Sequence, residues 1–196
     1  MKSIIKSVQP KMVENILNGK QTILLSKTKP NCELPIKVYI YETKQEFFSE
    51  LLNGRRVGRN IVVAEFVLDK VDKFSWSVYL SGAISTKLEK STCLTSNELK
   101  NYGKGKFTNS WRELFLWHIT DLKIYDKPKE LGEFYKPLSE EDLDDGNYSL
   151  DCGGEVTCMD YPEGSEYCAN CKYGGAKPLT KAPKNWCYVE EIWKEK

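Results

Sequence analysis

Apolar and polar residues alternate along much of the chain in short runs, which is the pattern of β-strands with one buried face. The runs are rich in β-branched and aromatic side chains. Strands are predicted at residues 22–25, 36–41, 61–71, 114–125 and 185–192. The fourth run is expected to bend near Thr120. Strands therefore account for most of the predicted regular structure.

Apolar residues recur at helical spacing in three short segments between these runs. Residues 10–18 begin with proline and end before Gly19, which are common helix start and stop signals. Residues 45–52 place four large apolar side chains at helical spacing, and a third helix begins with the capping-box pattern of Thr95 and Glu98. The helices are too short and too irregularly placed for a βαβ repeat. We therefore predict an α+β fold, a mixed β-barrel decorated by short helices.

The charge of the chain is close to balanced, with 29 basic and 28 acidic residues and a formal net charge of +1. Proteins that grip long double-stranded DNA neutralise many phosphates, so this balance argues against that class. Local clusters such as Arg55, Arg56 and Arg59 are typical of a solvated surface. No apolar run reaches the length of a signal peptide or a membrane span, so we expect a cytoplasmic protein without a membrane partner.

The composition changes over residues 139–183, which are rich in Asp, Glu, Gly and Cys and poor in aliphatic side chains. A segment of this kind buries too little apolar area to order itself. We therefore expect one β-barrel domain formed by residues 1–138 and 184–196, with residues 139–183 as a cysteine-rich insert.

Four of the seven cysteines lie in this insert, separated by five, nine and two residues. They are Cys152, Cys158, Cys168 and Cys171. The close pair is typical of a structural zinc site, and zinc would supply the ordering energy that the insert lacks. Two disulfides or four free thiols are the alternatives, and a reducing compartment argues against the first. In a variant of the zinc site, Cys187 or Cys32 replaces one ligand and pins the insert to the barrel.

Several short segments, taken in order, resemble the ASCH domain family of the PUA-like superfamily, in the compact form found in bacteria and their phages. The matching pieces are Pro10-Lys11, Ile16-Leu17-Asn18-Gly19, Val63-Ala64-Glu65-Phe66, Leu99-Lys100-Asn101-Tyr102-Gly103-Lys104-Gly105, Trp117-His118-Ile119-Thr120-Asp121-Leu122 and Trp186-Cys187-Tyr188-Val189. They span most of the chain outside the insert. The resemblance implies a cleft that binds RNA, a nucleotide or a modified nucleobase.

The family's signature, Gly-x-Lys-x-x-Glu-x-Arg, lies where the first helix turns into a strand that lines the cleft. In this chain its four defined positions fall on Gly19, Gln21, Leu24 and Ser26. Only the glycine matches. Lys20 and Lys27 stand one position away from the missing lysine and arginine, and one residue along a strand places a side chain on the opposite face. The family's catalytic signature is therefore degraded in this sequence.

The resemblance also implies an enzymatic alternative, because some family members resemble N4-acylcytidine amidohydrolases and others resemble ribonucleases. A deacylase needs a nucleophile or activated water, a basic partner and an oxyanion stabiliser. Thr22 and Glu65 are the candidate catalytic residues, and each is equally well explained as an ordinary strand residue. Gln21 cannot act as a base. These positions favour binding over hydrolysis.

Aromatic side chains offer a second signal, because unpaired bases are recognised by stacking and by hydrogen bonds to their edges. Trp117, Trp186 and Tyr188 are candidates, although aromatic residues in strands more often belong to the core. The single histidine, His118, is more typical of a hydrogen-bonded structural residue than of a catalytic one. The candidate ligand-binding set is Lys11, Gly19, Lys20, Gln21, Ser26, Lys27, Glu65, Trp117, His118, Trp186 and Tyr188.

Three functions therefore stand as hypotheses. The first is binding of RNA, a nucleotide or a modified nucleobase in an ASCH-type cleft. The second is hydrolysis of an acylated nucleoside or of RNA. The third is a phage-type protein-interaction module that acts on a host system through the insert. The net charge near zero favours a small ligand or a protein over long nucleic acid.

Overall fold

The computed structural model describes residues 3–82, 85–104, 111–137 and 176–191. Its strands are β1 (Ser3–Val8), β2 (Ile23–Ser26), β3 (Ile36–Glu42), β4 (Glu46–Ser49), β5 (Gly54–Val57), β6 (Ile61–Leu68), β7 (Val71–Lys73), β8 (Phe115–His118), β9 (Thr120–Lys129), β10 (Phe134–Pro137), β11 (Ala176–Pro178) and β12 (Trp186–Glu191). Its helices are α1 (Pro10–Leu17), α2 (Trp76–Leu80), α3 (Ser85–Thr92) and α4 (Ser96–Gly103), with a 3-10 turn at Leu131–Glu133. These elements confirm the predicted α+β class.

Seven strands form one mixed sheet in the order β11-β10-β12-β1-β3-β6-β9, in which β1 and β3 run parallel. Strands β2, β8 and β7 form a second sheet, and β4 and β5 form a hairpin. The described strands therefore build three open sheets, which corrects the prediction of a barrel. The second sheet packs side chains against the first without continuing its hydrogen-bonded ladder.

The main core fills the space between the seven-stranded and the three-stranded sheets. Ile4, Val38 and Phe66 enter it from the larger sheet, and Leu24 and Trp117 enter it from the smaller one. Successive residues of a strand point to opposite faces, so the neighbouring positions build a second cluster on the outer face of the large sheet. That cluster contains Ile5, Tyr39, Tyr41, Val62, Phe134 and Val189. The large sheet therefore has an inner and an outer face.

Helix α1 begins at Pro10 as predicted, because the missing amide hydrogen of proline costs nothing in the first helical turn. Its buried residues Val13 and Ile16 pack in the main core. The helix is capped by Asn18, and Gly19 follows with a φ of 69°, a left-handed conformation that suits glycine. The predicted order of helix, turn and strand is confirmed.

The predicted helix at residues 45–52 is wrong, because this segment forms β4 and the start of a hairpin turn. Burial alternates along β4 as in a strand, with Ser49 buried and Phe48 exposed. Asn53 takes a φ of 47° before Gly54, where β5 begins. Asparagine followed by glycine is a strong hairpin signal, and here it marks a turn between strands and not the end of a helix.

The capping box at the start of α4 is confirmed. The Glu98 amide donates to the Thr95 hydroxyl at 3.3 Å, and the Thr95 amide donates to Glu98 Oε2 at 2.8 Å. These two bonds satisfy backbone donors that a helix leaves unpaired in its first turn. They fix the N-terminal end of α4. Within the described residues, none of the helices has the length and apolar character to cross a membrane.

Candidate ligand-binding cleft

A cavity of about 520 Å³ lies between the C-terminal ends of β1 and β2, helix α4 and the segment before β12. Small-molecule sites usually have volumes of about 300–1,000 Å³. The cavity therefore has room for a ligand of the size of a nucleotide. Its walls come from segments that are far apart in the sequence, and the fold brings them together.

Lys6 of β1 lines this cavity, although only 3% of its surface is exposed. Lys6 lies two residues from Ile4 and two from Val8, so its side chain points to the same face of β1 as theirs. This is the inner face of the large sheet. Its Nζ donates to Asn185 Oδ1 at 2.9 Å and lies 4.7 Å from the ring centroid of Trp117. Desolvation by burial lowers the pKa of Lys6 to about 7. The amine is therefore partly neutral near physiological pH.

Helix α4 supplies a second wall, with Glu98, Asn101 and Tyr102. The Tyr102 hydroxyl donates to the Leu25 carbonyl at 3.4 Å, and Lys27 Nζ lies 4.9 Å from the centroid of the Tyr102 ring. Burial raises the pKa of Tyr102, so the phenol stays protonated. Helix α4 therefore presents an aromatic ring and a carboxamide to the cavity, and the ammonium group of Lys27 lies over the ring.

The rest of the lining is rich in side chains that both donate and accept hydrogen bonds. Gln9, Thr43, Gln45 and Asn185 are examples, and Lys184 adds a further ammonium group. Carboxamides can pair with the edge of a nucleobase, because they carry a donor and an acceptor side by side. The charged side chains of the lining are three lysines and one glutamate, so the cavity carries an excess of positive charge.

The three aromatic residues predicted for stacking form one row, and none of the three lines the cavity. The ring centroids of Trp117 and Trp186 are 5.8 Å apart, and those of Trp186 and Tyr188 are 5.4 Å apart. Trp186 Nε1 donates to Thr28 Oγ1, and the Asn31 amide donates to the Tyr188 hydroxyl, each at 2.8 Å. The row therefore ties the loop after β2 to β12, and Trp117 at one end of it lies under Lys6 of the cavity lining.

The turn predicted as a binding element lies at the other end of β2 from the cavity. Lys20 after Gly19 is exposed, and so is Thr22. Gln21 is buried, and its Nε2 donates to a backbone carbonyl of β2 at 3.0 Å. Lys11 is exposed on α1, with Nζ 4.0 Å from a carboxylate oxygen on α4. The structure therefore does not bring these residues together with the aromatic row.

Lys27, at the C-terminal end of β2, is the member of the predicted set that lines the cavity. The preceding residue, Ser26, is fully buried, and its hydroxyl has no hydrogen-bond partner among the described residues. Ser26 therefore belongs to the packing between the sheets, while Lys27 lines the cavity.

Glu65 and His118 both lie away from the cavity. Glu65 is the β6 neighbour of Tyr39 and therefore sits on the outer face of the large sheet. His118 Nε2 lies 2.8 Å from Asp72 Oδ2, and Lys70 Nζ contacts the same oxygen at 2.8 Å. The hydrogen bond from Lys70 is the main cause that lowers the pKa of Asp72, and the bond from His118 adds to it.

Lys6 and Asn185 are two of the cavity residues that the sequence analysis did not select. A signal for Lys6 exists in the sequence, since it stands between Ile4 and Val8 at alternate positions of a short apolar run. Any strand through these residues turns Lys6 to the side that Ile4 buries. Asn185 carries no comparable signal, because only the pairing of β1 with β12 brings it to the lysine.

The four predicted zinc ligands, Cys152, Cys158, Cys168 and Cys171, lie outside the described residues. Cys32, Cys93 and Cys187 are described, and none of the three forms a disulfide with another described residue. Among residues 3–82, 85–104, 111–137 and 176–191, no group of three or more His, Cys, Asp or Glu side chains is placed to hold a metal ion.

Comparison with solved structures finds an ASCH protein from Zymomonas mobilis, of the family that the sequence segments resemble. One crystal structure of it has 13% sequence identity and a TM-score of 0.42, and the match covers 80% of this chain and 83% of that one. Two single-residue mutants give identities of 13% and 14% and TM-scores of 0.43, with 76% and 73% of this chain covered and 84% and 78% of theirs.

No protein-family model matches the chain, and neither does any curated protein sequence.

Proposed function

We propose that the chain binds a nucleotide, or an unpaired nucleotide of RNA, in the cavity beside Lys6. The observation that carries the proposal is the composition of one lining, which combines an aromatic ring, several carboxamides and three lysines. A base can lie on the ring of Tyr102 and pair with Asn101 or its neighbours, while the lysines attract phosphate. The degraded signature and the absence of Glu65 from this lining favour binding over hydrolysis.

The charge distribution supports a small ligand more than a long one. Three lysines line the cavity against the single carboxylate of Glu98, while the whole chain carries a net charge of only +1. Contact with many phosphates would need a basic surface well beyond the cavity. A ligand with one or a few phosphates fits this pattern.

The proposal is tested by native mass spectrometry of the purified protein and by calorimetric titration with the four common ribonucleoside 5′-monophosphates and a short single-stranded RNA. We expect one nucleotide per chain. Lys27→Met should weaken binding about three- to tenfold, since a single ammonium near the ligand contributes about 1 kcal/mol. Lys87→Met is the matched control, because Lys87 is exposed on α3 and absent from the lining. It should change affinity less than twofold.

Absence of binding to every nucleotide and RNA at millimolar concentration would contradict the proposal. A stable complex with a host protein under the same conditions would then favour the interaction module. Product analysis of the titrated samples, with an acylated cytidine included, separates binding from hydrolysis.

We also propose that Cys152, Cys158, Cys168 and Cys171 hold a structural zinc ion. Their spacing and the low apolar content of residues 139–183 support this, because four thiolates on zinc order a polar segment that has little core. Metal analysis should find one zinc per chain, and Cys168→Ser should remove most of it. Cys93→Ser, which alters a thiol outside the insert, should leave it. Metal-free protein with two disulfides would show that the site does not exist.

A further inference from the structure

Lys6 has no negative partner in the part of the chain that the structure describes. Its Nζ contacts an uncharged carboxamide oxygen and the face of Trp117, and no described carboxylate lies within 4.0 Å of it. Buried ammonium groups are normally paired, because an isolated buried charge is costly. Here the unpaired amine lies on the wall of a ligand-sized cavity, which is where a ligand could supply the missing charge.

The other charged or titratable groups of the lining do not supply that charge. Lys27 and Lys184 carry the same sign as Lys6, and Tyr102 is a protonated phenol. Glu98 is the single carboxylate of the lining, and its Oε2 accepts hydrogen bonds from the amide and the hydroxyl of Thr95, each at 2.8 Å. The first turn of α4 therefore holds Glu98. The described lining therefore leaves Lys6 without an anionic partner.

We propose that Lys6 binds the phosphate group of the nucleotide in the cleft. This inference rests on the proposed function and narrows it, because it makes a phosphate monoester and not the base alone the group that the buried amine recognises. Asn185 orients the amine through its Oδ1 atom, and Lys27 and Lys184 would add longer-range attraction to the same phosphate.

Binding of a phosphate beside Lys6 should draw a proton onto the amine. Burial lowers the pKa of Lys6 to about 7, so at pH 8 most molecules of the free protein hold it neutral. An anion within hydrogen-bonding distance favours the charged form and raises that pKa again. The phosphate behaves in the opposite way, because its second ionisation has a pKa near 6 and a cationic site makes it release its proton. Net proton uptake at pH 8 therefore reports on Lys6.

The experiment is calorimetric titration at pH 8 in two buffers with different heats of ionisation, using each nucleoside 5′-monophosphate, its nucleoside and inorganic phosphate. We expect the monophosphate to bind at least tenfold more tightly than the nucleoside and than inorganic phosphate, with uptake of between one half and one proton. The nucleoside should bind without uptake. Lys6→Met should abolish the uptake and reduce the preference for the monophosphate to less than threefold. Lys27→Met should keep the uptake.

The possible outcomes test the role of Lys6 and nucleotide binding separately. Equal affinity for nucleoside and monophosphate, without proton uptake, overturns the role of Lys6 and leaves nucleotide binding standing. Binding of inorganic phosphate as tight as that of the monophosphate overturns recognition of a nucleotide. Absence of binding by all three ligands removes both claims. Thermal melting of Lys6→Met shows that it is folded, and Lys6→Arg, which keeps the charge, should bind the monophosphate without proton uptake.

Discussion

Each face of the seven-stranded sheet carries a partly or fully buried charged side chain, Glu65 on the outer face and Lys6 on the inner one. The two differ in the partners that the fold gives them. On the outer face, Glu65 accepts a hydrogen bond from the Tyr125 hydroxyl at 2.5 Å and lies 3.7 Å from Lys37 Nζ. On the inner face, Lys6 is more deeply buried and contacts only uncharged groups among the described residues. One charge is satisfied within the fold and the other is not.

The difference separates a structural charge from a candidate functional one. A partly buried carboxylate that already has a cation and a phenol gains little from a ligand. An amine that burial has partly neutralised, in a wall with two further lysines, gains a great deal from an anion. Perturbed lysines of this kind are found at functional sites as well as in structural networks, and here the adjoining cavity favours a functional role.

The largest predicted effect is on stability, because Lys6→Met should make the protein more stable at pH 7. Lowering the pKa from 10.5 to about 7 costs the folded state about 5 kcal/mol relative to the unfolded chain. Removing the amine also leaves Asn185 Oδ1 without its donor, which costs about 1–3 kcal/mol. We therefore expect a net gain of about 2–4 kcal/mol in the free energy of unfolding, measured by urea titration.

The pH profile gives this prediction a second measurement. Between pH 7 and 10.5 the unfolded chain keeps the Lys6 proton while the folded chain has lost it. The free energy of unfolding of the wild type therefore rises with pH relative to that of Lys6→Met. The advantage of the variant should be greatest at pH 7 and below, and it should shrink towards pH 10. An advantage that does not depend on pH, or a loss of stability at pH 7, would show that Lys6 is not buried in this way.

Several elements around the inner face could be predicted, because the signals for them lie in neighbouring residues of the sequence. The helix from Pro10, the turn at Gly19 and the capping box at Thr95 depend on neighbouring residues, and all three are found in the structure. The strands at residues 22–25 and 36–41 follow from alternation and are present within about one residue. Local signals of this kind require no knowledge of pairing.

The position of the cavity could not be predicted, because it depends on which strands become neighbours. Lys6 meets Asn185 across 179 positions of sequence, and only the pairing of β1 with β12 brings them together. The family signature predicts a site at Gly19, whereas the cavity lies at Lys27, at the other end of the same strand. A strand of four residues is long enough to separate the predicted site from the cavity.

Glu65 shows why the face of a side chain decides its role. The sequence shows an acid within an apolar strand, which is compatible with a catalytic position or with an outward-facing one. The register with Tyr39 of β3 resolves this, because it places Glu65 on the outer face, away from Lys6 and Trp117. A shift of the strand by one residue would have reversed that assignment.

The smallest predicted effect comes from a substitution on the outer face of the large sheet. Glu65→Gln keeps the shape of the side chain and removes its charge, so the contacts with Tyr125 and Lys37 weaken. We expect the free energy of unfolding to fall by about 1–2 kcal/mol, the usual contribution of a hydrogen bond to a charged group together with a partly exposed ion pair. Urea titration measures this loss, and calorimetric titration should show nucleotide affinity changed less than twofold. If Glu65→Gln abolished nucleotide binding or a hydrolytic activity in a protein that melts normally, Glu65 would belong to the functional site and the two faces would not be separate.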